Sequence, residues 1–316
     1  MSARLLTSAA LISALCGALP GMAADPQLLT LVMPDATVLA GVNVQQAITT
    51  PFGQYVLAQI QSQQQQQLQA LITLTGFDPT QDVTELLVAS DAAPAHTGLA
   101  LARGTFPVAQ IAAAATLEKA VTEKYSGVTI LEDPKQTHGF AFPNGTLVIA
   151  GDIANVKAAI DRLKAPASLP AAVTVEVNHW SGANDAWVIT TVPPSALHPP
   201  SSAPKVPGVG GQGAVAFQAI QSGAAGVKFG NVVTLTAQAQ ADNAADAESM
   251  AGVLQMLASM AQLQASSDPT AAALAQSLKI SASGAAVNIS VSLPEAQFEQ
   301  LTQPKAAAHQ RPTRRM

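Results

Sequence analysis

Apolar residues recur with two different periods along this chain, and the two periods predict both strands and helices. Every second residue is apolar in 38–44, which is typical of a strand with one buried side. From Pro51 to Thr75 the apolar positions recur at helical spacing, and the glutamines of 63–67 fit an exposed helix surface. We therefore expect a strand followed by one long helix at the start of the folded chain.

The same two patterns continue to the end of the predicted fold. Asn144 and Gly145 lie between two apolar segments, which is a strong local signal for a β-hairpin. Helices are expected to begin at Pro107 and Asp152 and to cover 250–261. Alternation predicts strands at 85–90, 98–104, 128–131, 140–142, 146–150, 173–177, 186–192, 233–239, 278–282 and 287–293.

Two stretches of the chain share an order of elements and several residues. Asp-Pro-Thr at 78–80 follows a long helix and precedes two strands and a helix that begins Pro-x-Ala-Gln at 107–110. Asp-Pro-Thr at 268–270 has the same position before Pro-x-Ala-Gln at 294–297. The pattern predicts an α+β fold of two similar sheet-and-helix units, mostly antiparallel, with an internal duplication. Chance similarity is the alternative, because the identities are few.

The first 23 residues have the three parts of a bacterial export signal. Arg4 precedes an apolar stretch at 5–19, and Gly21-Met22-Ala23 has the small-x-small spacing of a cleavage site. The apolar stretch is shorter than a membrane span requires. Cys16 is the only cysteine and follows Leu15, where a lipid-modified cysteine would follow a small residue. We expect cleavage after Ala23 and a mature chain in the periplasm or outside the cell.

The sequence patterns and the composition predict how the whole chain is divided into segments. The signal peptide covers 1–23, the first α+β unit 24–165 and the second unit 166–302. A loop at 193–213, in which ten of 21 residues are Pro or Gly, is expected to be a mobile excursion of the second unit. The tail at 303–316 carries four basic residues and is expected to be disordered.

The charge, the cysteine content and the lengths of the apolar stretches each exclude some classes of function. The formal net charge of the 316-residue chain is -5, and only 11% of its residues are charged, so a basic nucleic-acid-binding module is excluded. Without Cys16 the mature chain has no thiol for disulfide bonds, thiolate metal sites or nucleophilic catalysis. No later apolar stretch is long enough to cross a membrane.

Motifs for cofactors, metals and catalysis are weak. Residues 208–213 spell G-x-G-x-x-G, but a proline-rich segment replaces the strand that a dinucleotide-binding loop requires. The five histidines are scattered singly, and no G-x-S-x-G motif occurs. We therefore predict no cofactor, no metal site and no catalytic residue.

One polar and aromatic segment is a candidate contact surface. The pattern predicts a turn between two strands at 179–185, where a tryptophan could stack on a sugar or a peptide, or cover the end of the sheet. Its candidate residues are His179, Trp180, Asn184 and Asp185.

Several segments resemble an uncharacterised family of exported bacterial proteins with no assigned activity. They are LVMPD at 31–35, AGVNV at 40–44, TPFGQYVL at 50–57, GFDP at 76–79 and LVIAG at 147–151. The resemblance covers most of the mature chain and implies a bacterial, exported setting without implying any chemistry.

Three functions remain open at this point. The first is a non-enzymatic envelope or secreted protein, a scaffold or binding module whose partner is an envelope protein or an apolar ligand. The second is a hydrolase with a dispersed acid/base site at positions such as Asp133, His138 or Asp185. The third is a carrier of lipid or another apolar ligand in a cavity between sheet and helices, which a large dry pocket would support.

Overall fold

A computed structural model describes residues 24–91, 97–193, 219–264 and 269–302. The predicted signal peptide, most of the Pro/Gly-rich loop, the glycine motif at 208–213 and the C-terminal tail lie outside these residues. The fold is α+β, as the alternating and helical patterns predict.

Within the described ranges the chain forms twelve strands. They are β1 (Val38–Asn43), β2 (Val83–Ser90), β3 (Gly98–Gly104), β4 (Val121–Tyr125), β5 (Val128–Glu132), β6 (His138–Asn144), β7 (Leu147–Asp152), β8 (Ala186–Thr190), β9 (Ile220–Lys228), β10 (Val232–Ala241), β11 (Lys279–Ser283) and β12 (Ala286–Pro294).

Eleven helices are present in the same ranges. They are α1 (Pro26–Leu29), α2 (Val44–Ala47), α3 (Pro51–Gln63), α4 (Gln65–Thr75), α5 (Pro79–Asp82), α6 (Val108–Leu117), α7 (Ile153–Arg162), α8 (Ala171–Ala183), α9 (Ala244–Gln264), α10 (Pro269–Ser277) and α11 (Glu295–Thr302).

All twelve strands of the described residues belong to one antiparallel sheet. Its order is β11-β12-β10-β9-β8-β1-β2-β3-β7-β6-β5-β4. The predicted hairpin at Asn144 and Gly145 joins β6 to β7. Asp78 caps α5, because its side chain accepts the Thr80 N–H at the start of that helix.

One side of the sheet, here called the α7 face, packs on α7, α8 and the amino-terminal segment. The largest hydrophobic cluster fills this interface. One row of paired residues on this face is apolar from β5 to β8 and then becomes polar. The row is Ile130, Ala141, Ile149, Leu101, Leu87, Gly41, Trp187, Gly226, Thr236 and Ser290. Among the described residues, the apolar part of this row is the part that α7, α8 and the amino-terminal segment cover.

The opposite side, here called the α4 face, carries α4 and α6 at one end and α9 at the other. A paired row of apolar residues crosses eleven strands without a polar interruption. The row is Leu131, Phe140, Ala150, Ala100, Val88, Ala40, Val188, Ala225, Ala237, Ile289 and Ile280. At the far end, Met250 of α9 packs into a second cluster with Val287 and its neighbours. Along this row the α4 face is thus apolar, and in the described part of the chain α4, α6 and α9 lie over its two ends.

Three predicted elements have a different structure. The strand predicted at 173–177 is the first half of α8, and the turn predicted at 179–185 is mainly its second half. The helix predicted from Pro51 to Thr75 is two helices, because the chain leaves helical geometry at Gln64. The sheet also contains β4 and β9, which the sequence pattern did not predict.

The two stretches with shared residues have the same order of elements but a different order of strands. In the first stretch β2 pairs with β1, the strand that precedes the helices, and β3 lies beyond it. In the second stretch the later strand, β12, pairs with β10, and β11 lies at the edge. Duplication stays a prediction, as does the division into units at 165 and 166. None of the helices in the described ranges is both long enough and apolar enough to cross a membrane.

Candidate ligand cavity

A cavity of about 680 Å³ lies between the α4 face of the sheet and the helices α4 and α6. It is partly open to solvent and falls within the roughly 300–1,000 Å³ typical of small-molecule sites. Its floor comes from the α4 face of strands β2, β3, β7, β6 and β5. The floor side chains are Leu86, Ala100, Ala102, Leu131, Phe140, Phe142, Val148 and Ala150.

The helices that form the roof stand away from the sheet. Ten residues make up α6, most of them apolar, yet none of them is buried. In α4 only Thr75 is buried. Leu74 is 58% exposed and Phe140 is 55% exposed, and both line the cavity. These apolar side chains are exposed because they face the empty space between roof and floor.

Aromatic rings close one end of the cavity. Phe77 follows α4, Phe106 precedes α6, and Phe142 lies on β6. The ring centroids of Phe77 and Phe106 are 5.4 Å apart, and those of Phe106 and Phe142 are 5.9 Å apart. Such ring pairs add to the stability that burial alone provides.

Polar groups lie at the other end. His138, Phe140 and Phe142 alternate along β6 on the same face, so about 13 Å of strand separates the histidine from the aromatic end. Glu118, at the carboxyl end of α6, and Asp133, after β5, also line the cavity. The cavity therefore has an apolar, aromatic end and a polar end.

The turn between β5 and β6 fixes the polar end. The Asp133 carboxylate accepts hydrogen bonds from the Thr137 N–H at 2.7 Å, the Thr137 hydroxyl at 3.1 Å and the His138 N–H at 3.0 Å. These bonds lower the pKa of Asp133, the His138 N–H having the largest effect. The His138 ring lies with Nε2 3.4 Å from the Asp152 carboxylate. Asp133 is thus an ionised turn residue whose oxygens already have donors.

Glu132 borders the cavity but its side chain belongs to the other face of the sheet. Alternation along β5 places it on the α7 face with Ile130. Its Oε2 accepts a hydrogen bond from Gln136, and burial raises its pKa. The nearby Glu123 forms an ion pair with Lys157 of α7 at 2.7 Å. Glu132 is therefore not counted as a group that reaches a ligand.

The candidate acid/base residues do not form one site. Asp133 and His138 lie together at the polar end of the cavity. Asp185 lies immediately before β8, and β8 is five strands away from β6 in the sheet order. At about 4.8 Å per strand the separation is on the order of 24 Å. Asp185 instead accepts the Phe229 N–H at 2.7 Å and pairs with the Lys228 amine at 2.8 Å.

The candidate contact surface lies at the end of α8 and is mostly buried. Trp180, Asn184 and Asp185 are 5%, 7% and 2% exposed, whereas His179 is exposed. Trp180 donates to Glu176, and the Asn184 amide donates to the Trp180 carbonyl. Helix and strand packing account for the three buried residues, and a contact role for this segment stays a prediction.

The described residues contain no group of three or more His, Cys, Asp or Glu side chains suited to a metal ion. His138 and His179 lie at separate places in the fold, while His96, His198 and His309 fall outside the described residues. Two smaller pockets, of about 390 and 310 Å³, lie between α3 and α4 and beside α8, and glutamine and threonine side chains contribute to both. The apolar cavity is accordingly the better candidate for a ligand site.

Comparison with known proteins gives a similarity of fold. No protein-family model matches the chain, and no curated protein sequence matches it. The crystal form III structure of TP0453, a bacterial protein, is similar with a TM-score of 0.53 and 12% identity over 86% of this chain and 96% of that one. Crystal form IV of TP0453 gives 0.50 and 12% over 86% and 95%. At this identity the similarity supports the α+β architecture alone, and it agrees with the resemblance to bacterial proteins without an assigned activity.

Proposed function

We propose that this chain is an exported, non-enzymatic binding protein that holds a lipid or another apolar ligand in the cavity under α4 and α6. The observation that carries the proposal is the cavity of about 680 Å³, whose lining is almost entirely apolar. Protein interiors are close-packed, so an apolar space of this size is unusual unless a ligand fills it.

Filling the cavity is favourable for a simple reason. Water inside it would find few hydrogen-bonding partners, because the floor and roof carry hydrocarbon side chains. Each methylene group of a ligand that leaves water contributes about 0.8 kcal/mol to binding. A hydrocarbon chain therefore fits the cavity better than a sugar or a peptide.

The remaining parts of the proposal rest on sequence. The residues at 1–23 and the resemblance to exported bacterial proteins support a location in the periplasm or outside the cell. The hydrogen bonds that fix Asp133 favour a structural role for this carboxylate over acid/base catalysis. Partner binding through His179 or the loop at 193–213 is compatible with ligand binding.

A cavity-filling variant tests the proposal. Ala100 lies in the middle of the floor, so Ala100→Trp is expected to weaken the binding of the uncharged fluorescent probe N-phenyl-1-naphthylamine about tenfold or more. Titration of the mature protein with the probe measures the affinity.

Ala225→Trp is the matched control. Ala225 belongs to the same apolar row but lies on β9, outside the cavity lining. The control should bind the probe like the unsubstituted protein. The proposal fails if the unsubstituted protein does not bind the probe, or if Ala100→Trp binds it equally well while thermal unfolding shows an intact fold.

A further inference from the structure

Acidic groups predominate among the ionisable side chains that line the cavity. Apart from Glu132, whose side chain lies on the other face of the sheet, the ionisable lining residues are Glu118, Asp133 and His138, and two of these three are carboxylates. Among the residues that the structure describes, no lysine or arginine lines the cavity. Lys119 and Lys135 are exposed neighbours in the sequence, but they are not part of the lining.

The dipole of helix α6 also favours a positive charge at the polar end of the cavity. Helix α6 begins at Val108, beside the aromatic end, and ends at Leu117 with Glu118 as its cap residue. Its length of about 15 Å matches the distance between the two ends of the cavity. The carboxyl end of a helix carries a partial negative charge, so α6 and Glu118 both favour a cation at the polar end.

We infer that the ligand is a long-chain amphiphile with a cationic head, bound with the head beside Glu118 and Asp133 and the chain extending toward Phe106. This inference rests on the proposed function and names its ligand class. A chain that enters in this direction places its methylene groups over Ala100 and Phe140. An anionic head would instead meet like charges, with no lysine or arginine in the described lining to balance it.

Three amphiphiles with the same chain separate the effect of the head from that of the chain. Dodecylamine, dodecanol and dodecanoate compete with N-phenyl-1-naphthylamine at pH 7, and displacement gives their relative affinities. We expect the amine to bind most tightly and the carboxylate least tightly, with about a two- to fivefold difference at each step.

A charge reversal at the polar end should change this order. Glu118 is exposed, so Glu118→Lys is expected to keep the fold and to lower the ratio of amine to carboxylate affinity about fivefold. Glu248→Lys makes the same charge change on the exposed surface of α9 and should leave the ratio unaltered. Unchanged dodecanol affinity in both variants shows that the cavity is intact.

The outcomes separate this inference from the proposed function. Equal displacement by all three compounds, tighter binding of dodecanoate, or an unaltered ratio in Glu118→Lys overturns the cationic head group while leaving an apolar ligand site in place. Failure of the probe to bind the unsubstituted protein overturns both.

Discussion

At the scale of single residues, the side chain and backbone of buried Asp185 together link the start of β8 to its neighbours β9 and β1. The Asp185 side chain pairs with Lys228 and accepts the Phe229 N–H, while its backbone N–H donates to Val227 and its carbonyl accepts from Asn43. Asp185 is 2% exposed, so its carboxylate lies inside the structure, while the Lys228 side chain reaches the surface. This arrangement explains why a residue that resembles a catalytic acid in the sequence has a structural role in the fold.

Asp185→Ala tests this role. The substitution leaves the Phe229 N–H without its acceptor, so we expect the free energy of unfolding to fall by about 1–3 kcal/mol. Urea unfolding of the mature protein measures the change. Glu248→Ala, on the exposed surface of α9, should stay within about 0.5 kcal/mol of the unsubstituted protein. An Asp185→Ala protein as stable as that control would contradict the structural role.

At the scale of elements, α8 shows where the sequence pattern was ambiguous. Val173 and Val177 are four residues apart, so they fit both the alternation of a strand and one face of a helix. The burial of Val177, Trp180 and Ser181 follows the helical period, and Val175, between the two valines, is 66% exposed. The strand prediction was wrong because three β-branched residues outweighed the longer helical pattern that includes the tryptophan.

Strand β9 was missed for the opposite reason. Its centre is Gly223-Ala224-Ala225-Gly226, which has a low intrinsic preference for strands. Pairing with β8 on one side and β10 on the other determines its structure. A side chain at Gly226 would come within 2.3 Å of the Asn184 amide carbon, so the close packing of α8 on this strand requires glycine.

The end of α4 gives a prediction at the same scale. Gly76 has a φ of 68° and donates its N–H to the Ile72 carbonyl, which ends the helix that covers the cavity. A Cβ there would meet no atom within 4 Å, so Gly76→Ala should cost only the left-handed backbone strain, about 1 kcal/mol of unfolding free energy.

Gly252→Ala is the matched control for that substitution. Gly252 lies inside α9, also with open space around it, and alanine there should stabilise the protein by about 0.5–1 kcal/mol. Urea unfolding compares the two variants, and both should bind the probe with unchanged affinity. Equal signs for the two substitutions would contradict the assigned helix end.

At the scale of the whole molecule, the sequence predicts the fold class, many of the strands and an antiparallel arrangement. Alternation within a strand shows that one side is apolar, but it does not show which helix covers that side or at what distance. The cavity exists because α4 and α6 stand away from Leu86, Ala100 and Val148, and this spacing depends on strand order and loop length. An apolar helix such as α6, which buries none of its residues, becomes informative only once the sheet is known.

The position of a bound ligand tests the central claim most directly. Methyl NMR of the mature protein, labelled at Leu, Val and Ile, can follow a titration with dodecylamine. The account predicts shifts at the methyl groups of Leu71, Leu86, Leu131 and Val148, which line the cavity, and none at Ile160 or Val177 of the opposite face. Shifts confined to the α7 face or to α9, or no shifts at saturating ligand, would contradict it.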